Sequence, residues 1–375
     1  MSHLVVPAVI EDALLAAARR HLPAAVLGGP GLTAAVIDRS RRYTSERARL
    51  ATPARPDADL AARALFFTVA DAGKLPAVLA ELTAARAPAG FLDGPTVRVL
   101  DLGAGCGAMT LGLVNALAAR GFTGRLEVTL VDRDRGALAI AGDAIAAVAA
   151  ALGVACRSTI EVGDAAAPRP GGFDLVVAGT VLNELDAAAA AAVLDGMVAA
   201  LAPAGVAIAI EPALRATSRA LHALRDRAIA DGAVAVLAPC TRRAAPCPAL
   251  ADERDWCHDH RPLTLPPRAH TLATVTGLRD GDAKWSFLAL ARAAAAPSPL
   301  DAYRIVDDPR AGKGKHELVG CGADGWVAIR LLRRHRTEAN RAIERARRGE
   351  LYAIARPPEG GALDLGPDDR VSPRA

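Results

Sequence analysis

Val97-Arg98-Val99-Leu100-Asp101-Leu102-Gly103-Ala104-Gly105-Cys106-Gly107 is the stretch that decides the fold. A short apolar run ends in an acidic residue, and three glycines follow at alternate positions. The apolar segment Met109 to Arg120 comes next. This is the pattern of a strand, a tight loop and a helix start. Gly103 suits the tight turn, while Gly105 and Gly107 remove side chains that would hold a ligand off the backbone. The helix N-terminus then offers N–H groups and partial positive charge to an anion.

Downstream the pattern repeats. Leu126 to Val131 reads as a second strand ending in Asp132, and Ala137 to Leu152 as its helix. Thr159 to Val162 is a third strand before Asp164, and Phe173 to Ala178 a fourth before Asn183 and Glu184. The helix Ala187 to Leu201 leads to a fifth strand, Val206 to Ile210, which ends in Glu211-Pro212. After a helix over 213–230, Ala233 to Leu237 is a sixth strand, and Lys284 to Ala291 comes only after a long insertion. Alternation of this length predicts an α/β fold, a Rossmann-like, doubly wound parallel sheet with helices on both faces.

A pyrophosphate and the carboxylate of a methionine moiety both suit such a loop. Asp101 favours the second, because it repels a pyrophosphate but can help hold a methionine ammonium. Asp132 is placed to accept hydrogen bonds from ribose hydroxyls, and Asp164 sits where class I methyltransferases contact adenine. The order Asp101, Asp132, Asp164, Asn183 over residues 97 to 211 resembles that superfamily. The expected cofactor is therefore S-adenosylmethionine, held by Asp101, Gly103, Gly105, Gly107, Asp132 and Asp164. Asn183 could orient a nucleophile and Glu184 could take a proton. The alternative is that both cap the helix beginning near Asp186.

The chain is 375 residues long, 52% hydrophobic and 23% charged, which fits a globular protein rather than a disordered one. No stretch of about 18 apolar residues lacks charges, so no membrane segment is expected. Glu11 and Asp12 argue against an organelle transit peptide. The expected compartment is the cytoplasm, where thiols stay reduced, so the six cysteines are not a disulfide framework. The net charge is +4, yet Arg310 to Arg348 alone carries eleven Lys/Arg against four Asp/Glu. Such a segment attracts a phosphate backbone, or with Glu338 and Glu344 interleaved it is a solvated helix face.

Residues 1–90 read as a helical region, with helices Val9 to Arg20, Thr33 to Arg47, Ala58 to Ala70 and one after Pro76. Residues 91–296 form the Rossmann-like domain, with a cysteine-rich insertion, 238–283, between its last two strands. Residues 297–355 form a small basic β/α module: strands Tyr303 to Val306, His316 to Cys321 and Trp326 to Leu332, then a helix Thr337 to Arg348. Residues 356–375 read as a loose tail.

Cys240, Cys247 and Cys257 lie in proline-rich, loop-like surroundings, and Cys321 ends a short strand between two glycines. Four thiolates so placed suit tetrahedral zinc or an iron-sulfur cluster equally well. The bland alternative is four unconnected buried cysteines. His258, His260 and His270 are substitute ligands.

Several segments in order carry a family resemblance: Lys74-Leu75-Pro76-Ala77-Val78, Asp101 to Gly105, Asn183-Glu184-Leu185, Glu211-Pro212, Ala238-Pro239-Cys240, Pro246-Cys247-Pro248, Trp256-Cys257-His258, Lys284 to Arg292 and Arg348 to Leu351. The chain resembles the methyltransferase-like proteins of the mitochondrial small ribosomal subunit and their bacterial relatives, the Rsm-twenty-two type. The resemblance implies a 4Fe-4S cluster on Cys240, Cys247, Cys257 and Cys321. It also implies binding to the small ribosomal subunit and its rRNA, with the basic segment 310–348 as the contact. Cys106 stands where that family more often has proline. Three functions follow as expectations: an rRNA methyltransferase, a non-catalytic RNA-binding assembly factor, and a small-molecule methyltransferase, the last disfavoured by the basic module.

Overall fold

The computed structural model describes residues 3–46, 53–82, 86–242, 246–279, 281–355 and 360–374. The chain opens with a short strand β1 (Leu4–Val5) and five helices: α1 (Ala8–His21), α2 (Gly29–Thr44), α3 (Pro56–Ala62), α4 (Thr68–Asp71) and α5 (Lys74–Glu81). Between α3 and α4 the helix widens into a π-turn, Arg63–Phe67. Pro30 and Pro76 each sit in a first helical turn, where no intrahelical N–H is missed. Asp59 of α3 is buried and takes both Arg39 and Arg42 of α2, which fixes that helix pair.

The alternating segment follows: β2 (Thr96–Leu102), α6 (Ala108–Ala119), β3 (Arg125–Asp132), α7 (Arg135–Leu152), β4 (Ala155–Val162), β5 (Phe173–Gly179), α8 (Ala187–Ala199), β6 (Leu201–Pro212), α9 (Arg215–Ala228) and β7 (Val234–Ala238). The insertion adds β8 (Asp259–Thr264) and α10 (Pro267–Thr276) before β9 (Asp282–Arg292). Strands lie in the order β9-β6-β5-β2-β3-β4, all parallel except β9, which runs antiparallel to β6. β7 and β8 both pair antiparallel with β9, and β1 adds to β8 in parallel. This is the strand order of class I methyltransferases, with a reversal between β2 and β5 where ligands bind in such sheets.

Period-two alternation sorts the side chains between two cores. Val97, Val99, Leu175 and Val177 face the core under α1, α6 and α7. Leu100, Leu102, Val176 and Ala178 face the one under α8 and α9. Helix α7 is long and apolar enough by composition to cross a membrane. Here it is a core helix: Leu138, Ile145 and Val148 are buried, and Asp143 is bound by Arg20 and His21 of α1 at 2.9 and 2.8 Å.

The C-terminal part corrects two expectations. It is an all-β sheet, not a β/α module. It comprises β10 (Tyr303–Ile305), β11 (Arg310–Gly312), β12 (Lys315–Gly322), β13 (Gly325–Leu332), β14 (Leu351–Ile354), β15 (Ala362–Leu365) and β16 (Val371–Arg374). The helix expected over Thr337 to Arg348 is absent, and only a 3-10 run, Arg341–Arg345, stands there. Asn340 is the reason: its fully buried side chain accepts from Thr337 N–H and donates to the carbonyls of His335 and Gly366. Those bonds compete with helix formation. Nor are residues 360–374 a loose tail as expected over 356–375, since β15 pairs with β13 and β16 with β14; 356–359 and 375 lie outside the described residues. Leu363, Leu365 and Val371 fill the core of this sheet, an alternation hidden among Gly, Pro and Asp.

A buried ion network ties the parts together. Glu81 of α5 meets Arg86, Arg261 of β8 and Arg304 of β10, and Asp259 of β8 binds Arg261 and Arg304.

Candidate functional site

Gly103, Gly105 and Gly107 all adopt left-handed backbone, with φ of 65°, 52° and 90°. At Gly103 the requirement is also steric, because a Cβ there would stand 2.3 Å from Cγ2 of Val181. Gly107 is the residue preceding α6, and its N–H closes the loop onto the Ala104 carbonyl at 2.7 Å. The Asp132 carboxylate accepts the N–H of Gly105 and that of Asp134, each at 2.8 Å. Loop and acidic strand end are thus one rigid unit.

Asp101 is buried beneath this loop. Its Oδ2 accepts the Thr110 hydroxyl at 2.7 Å, while its Oδ1 has no hydrogen-bond partner among the described residues. Burial pushes its carboxyl up to about 7. A ligand ammonium supplies both things this carboxylate lacks, N–H donors and positive charge. Asp164 is half-exposed beyond β4: its Oδ1 accepts from Ala166 N–H, and Arg133 pairs with Oδ2 at 2.5 Å. The Gly163 N–H on the Asp132 carbonyl brings the two acidic strand ends side by side. The residues present fit S-adenosylmethionine.

Asn183 and Glu184 share a 3-10 turn, Leu182–Glu184, just after β5. Neither is the cap of α8, since Asp186 has that role and accepts the Ala189 N–H at 2.8 Å. The turn is held by Glu211, whose carboxylate accepts the N–H groups of Val181, Leu182 and Asn183 at 3.2, 2.9 and 3.3 Å. Sequence reading missed this role for Glu211. The available signal was an acidic residue closing an otherwise apolar strand.

Arg63 was missed too. The π-turn carries it to the cofactor loop, with its guanidinium 3.6 Å from where a Cβ on Gly105 would stand. It donates to Asp134 at 2.5 Å; burial opposes its charge, but Cys106, Tyr43, Asp134 and Asp132 around it outweigh burial and keep the guanidinium protonated well above the ordinary arginine range. A π-turn shifts every later residue around the helix, which periodicity at 3.6 does not anticipate.

The four cysteines come from distant segments. Cys240 follows β7, Cys247 donates its N–H to Asp226 at 2.7 Å, Cys257 precedes β8 and Cys321 lies in β12. All four line one cavity, together with Arg225, Arg304 and Phe287. Burial pushes the Cys247 thiol up to about 11 and that of Cys321 up to about 12, and neighbouring cysteines add to both. As the side chains lie, no group of three or more His, Cys, Asp or Glu among the described residues stands close enough to hold a metal ion. The donor chemistry, four sulfurs with the guanidinium groups of Arg225, Arg242 and Arg304 beside them, suits a zinc ion or an iron-sulfur cluster. His258 is stacked on Trp256 and His260 pairs with Asp282, and neither histidine lines the cavity.

In the basic segment, surface ion pairs neutralise several cations: Lys315 with Glu317, Arg330 with Asp364, Arg336 with Glu344 and Arg341 with Glu338. Lys313, Arg333, Arg345 and Arg347 are exposed.

Solved structures similar to this one include two methyltransferases. Magnesium protoporphyrin IX methyltransferase from Synechocystis PCC 6803, with bound SAM, is 16% identical over 69% of this chain and 96% of that chain, with a TM-score of 0.36. An O-methyltransferase from neocarzinostatin biosynthesis is 21% identical over 62% and 65% of the two chains, also at 0.36. No curated protein matches the sequence. Residues 66–362 match the family described as mitochondrial small ribosomal subunit Rsm22. That is most of the sequence, and the chain belongs to the Rsm22 family.

Proposed function

We propose that this protein is an S-adenosylmethionine-dependent methyltransferase of the small ribosomal subunit, acting in the cytoplasm with rRNA as acceptor. The observation that carries the reading is Asp101 Oδ1, buried beneath the glycine loop and without a hydrogen-bond partner among the described residues. Family membership supplies the ribosomal half. The cofactor brings an electrophilic methyl group on a sulfonium. The start of α6 faces its carboxylate, Asp101 takes its ammonium, Asp132 its ribose hydroxyls, and Asp164 its adenine end. Asn183 orients the acceptor, and Glu184, exposed on the same turn, takes the proton the acceptor loses. Exposed cations of the segment 310–348 contact RNA phosphates. Cys240, Cys247, Cys257 and Cys321 hold a 4Fe-4S cluster, with zinc as the alternative, and the bound metal joins the insertion to the C-terminal sheet.

A second reading, a non-catalytic assembly factor, has its own support. The four thiols and the buried ion network all bridge separate parts of the chain, which is the business of a scaffold. Incubation with small-subunit RNA and a labelled methyl donor separates the two. Label should enter RNA with the wild type and be lost with Asn183→Ala. Saturable binding of S-adenosylhomocysteine without any labelling, and unchanged rRNA modification in a deletion strain, would establish the assembly role instead.

A further inference from the structure

A second cavity, of about 390 Å³, opens at the C-terminal ends of β5 and β6. It adjoins the glycine loop through two short links. Thr180 lines it, and the next residue, Val181, packs on Gly103. Phe67 lines it too, and the same π-turn carries Arg63 to Gly105. Its volume is that of a small-molecule pocket.

The lining combines aromatic, cationic and acidic side chains. Tyr43 and Phe67 meet edge to face, their ring centroids 5.4 Å apart at 75°. Arg39 holds the Tyr43 ring, with its guanidinium 4.4 Å from the centroid and a 3.0 Å bond to the hydroxyl. This aromatic corner is preorganised to receive a flat ring. Arg279 and Lys284 also line the cavity, as do the carboxylates of Asp71 and Asp282. Arg279 is fixed by Asp71 at 3.2 Å, and Asp71 is fixed in turn by Lys74 at 2.7 Å. Lys284 is exposed, and no ion pair occupies it among the described residues. Of the three described non-glycine residues with left-handed backbone, two line this cavity: Thr180 at φ 62° and Arg279 at φ 57°. A β-branched residue in that region is strained, and such strain persists where the surrounding structure imposes it.

We propose that this cavity is a pocket for one unpaired nucleotide, with the base against Tyr43 and Phe67 and the phosphate at Lys284 and Arg279. The inference rests on the methyltransferase reading and names the form of its acceptor. A base stacked inside a helix does not present itself to an enclosed pocket, so the nucleotide must be unpaired or flipped out, at the cost of its stacking. Stacking on the aromatic corner offsets that cost.

Saturation-transfer NMR on the full-length protein tests this, with the four nucleoside 5′-monophosphates, the four nucleosides and S-adenosylhomocysteine titrated separately. At least one monophosphate should bind more tightly than its nucleoside. Lys284→Gln should weaken the monophosphate about fivefold and leave the nucleoside unchanged. Tyr43→Leu should weaken both about tenfold. Lys284 is exposed, so its variant stays informative even if Tyr43→Leu fails to fold. Absence of monophosphate binding, or affinity indifferent to Lys284→Gln, overturns the pocket. If S-adenosylhomocysteine still binds in that case, the methyltransferase reading stands without it. Monophosphate binding with no S-adenosylhomocysteine binding supports the pocket and removes the methyltransferase reading.

Discussion

Val181 packs its Cγ2 into the space that a side chain on Gly103 would need, leaving 2.3 Å to a modest Cβ. The turn after β5 therefore closes directly on the loop after β2, across the point where the strand order reverses. Gly103→Ala should destabilise the protein by about 2 kcal/mol, part from left-handed backbone and part from this overlap. Adding Val181→Ala should recover the steric part. Urea unfolding of the two single variants and the double variant checks this, and strictly additive costs would show that the two residues do not share the space.

Asp101 should make cofactor binding depend on pH. Its carboxyl is raised to about 7 by burial, so it is half protonated near neutrality. A cofactor ammonium prefers the carboxylate, and S-adenosylhomocysteine affinity should rise as pH passes upward through about 7. Stability of the free protein should move the other way. A raised carboxyl contributes stability in full below its ordinary value of 3.8, and that contribution is lost as pH rises through about 7. Asp101→Asn should flatten both curves and weaken binding about tenfold. Calorimetric titration at several pH values measures the first, and thermal unfolding over the same range the second.

The four cysteines predict a colour and a mechanical effect. Protein purified without oxygen should be brown and carry about four iron per chain. Colourless protein with one zinc would support the alternative ion. Cys321→Ser removes the only one of the four in the C-terminal sheet, so amide exchange in β12 and β13 should accelerate while β2 to β5 keep their protection. Unchanged exchange would mean that the ion network alone holds that sheet.

RNA binding should be steeply salt-dependent. Changing Lys313, Arg333, Arg345 and Arg347 to Gln should lower the slope of log affinity against log salt by about 0.7–0.9 for each cation that contacts a phosphate. Nitrocellulose-filter binding from 50 to 300 mM salt measures it. An unaltered slope would place the RNA on another face.

Several residues show what local pattern could and could not convey. The strands around Asp101 and Asp132 were legible because a parallel sheet buries both faces, and continuous apolar runs result. The basic end misled. Cationic residues at helical spacing between Thr337 and Arg348 look like a helix, and a single buried Asn340 is enough to prevent one. In the sequence, Glu11 bears only on a targeting signal. In the fold it is buried and accepts the Ala269 N–H at 2.6 Å, at the start of α10 and 258 residues away.

By itself, the sequence determined the Rossmann-like alternation, the glycine loop and the types of residue available for chemistry. Each of these depends on neighbours a few positions apart, and periodicity and turn chemistry report such neighbours directly. Only the tertiary structure decided which distant residues meet. It brings Cys321 and Cys240 to one cavity, Glu211 beneath Asn183, Arg63 onto Gly105, and Tyr43 and Lys284 to a second cavity. These meetings depend on strand order, on a π-turn and on the packing of helices against the sheet, and those are set by burial over the whole chain.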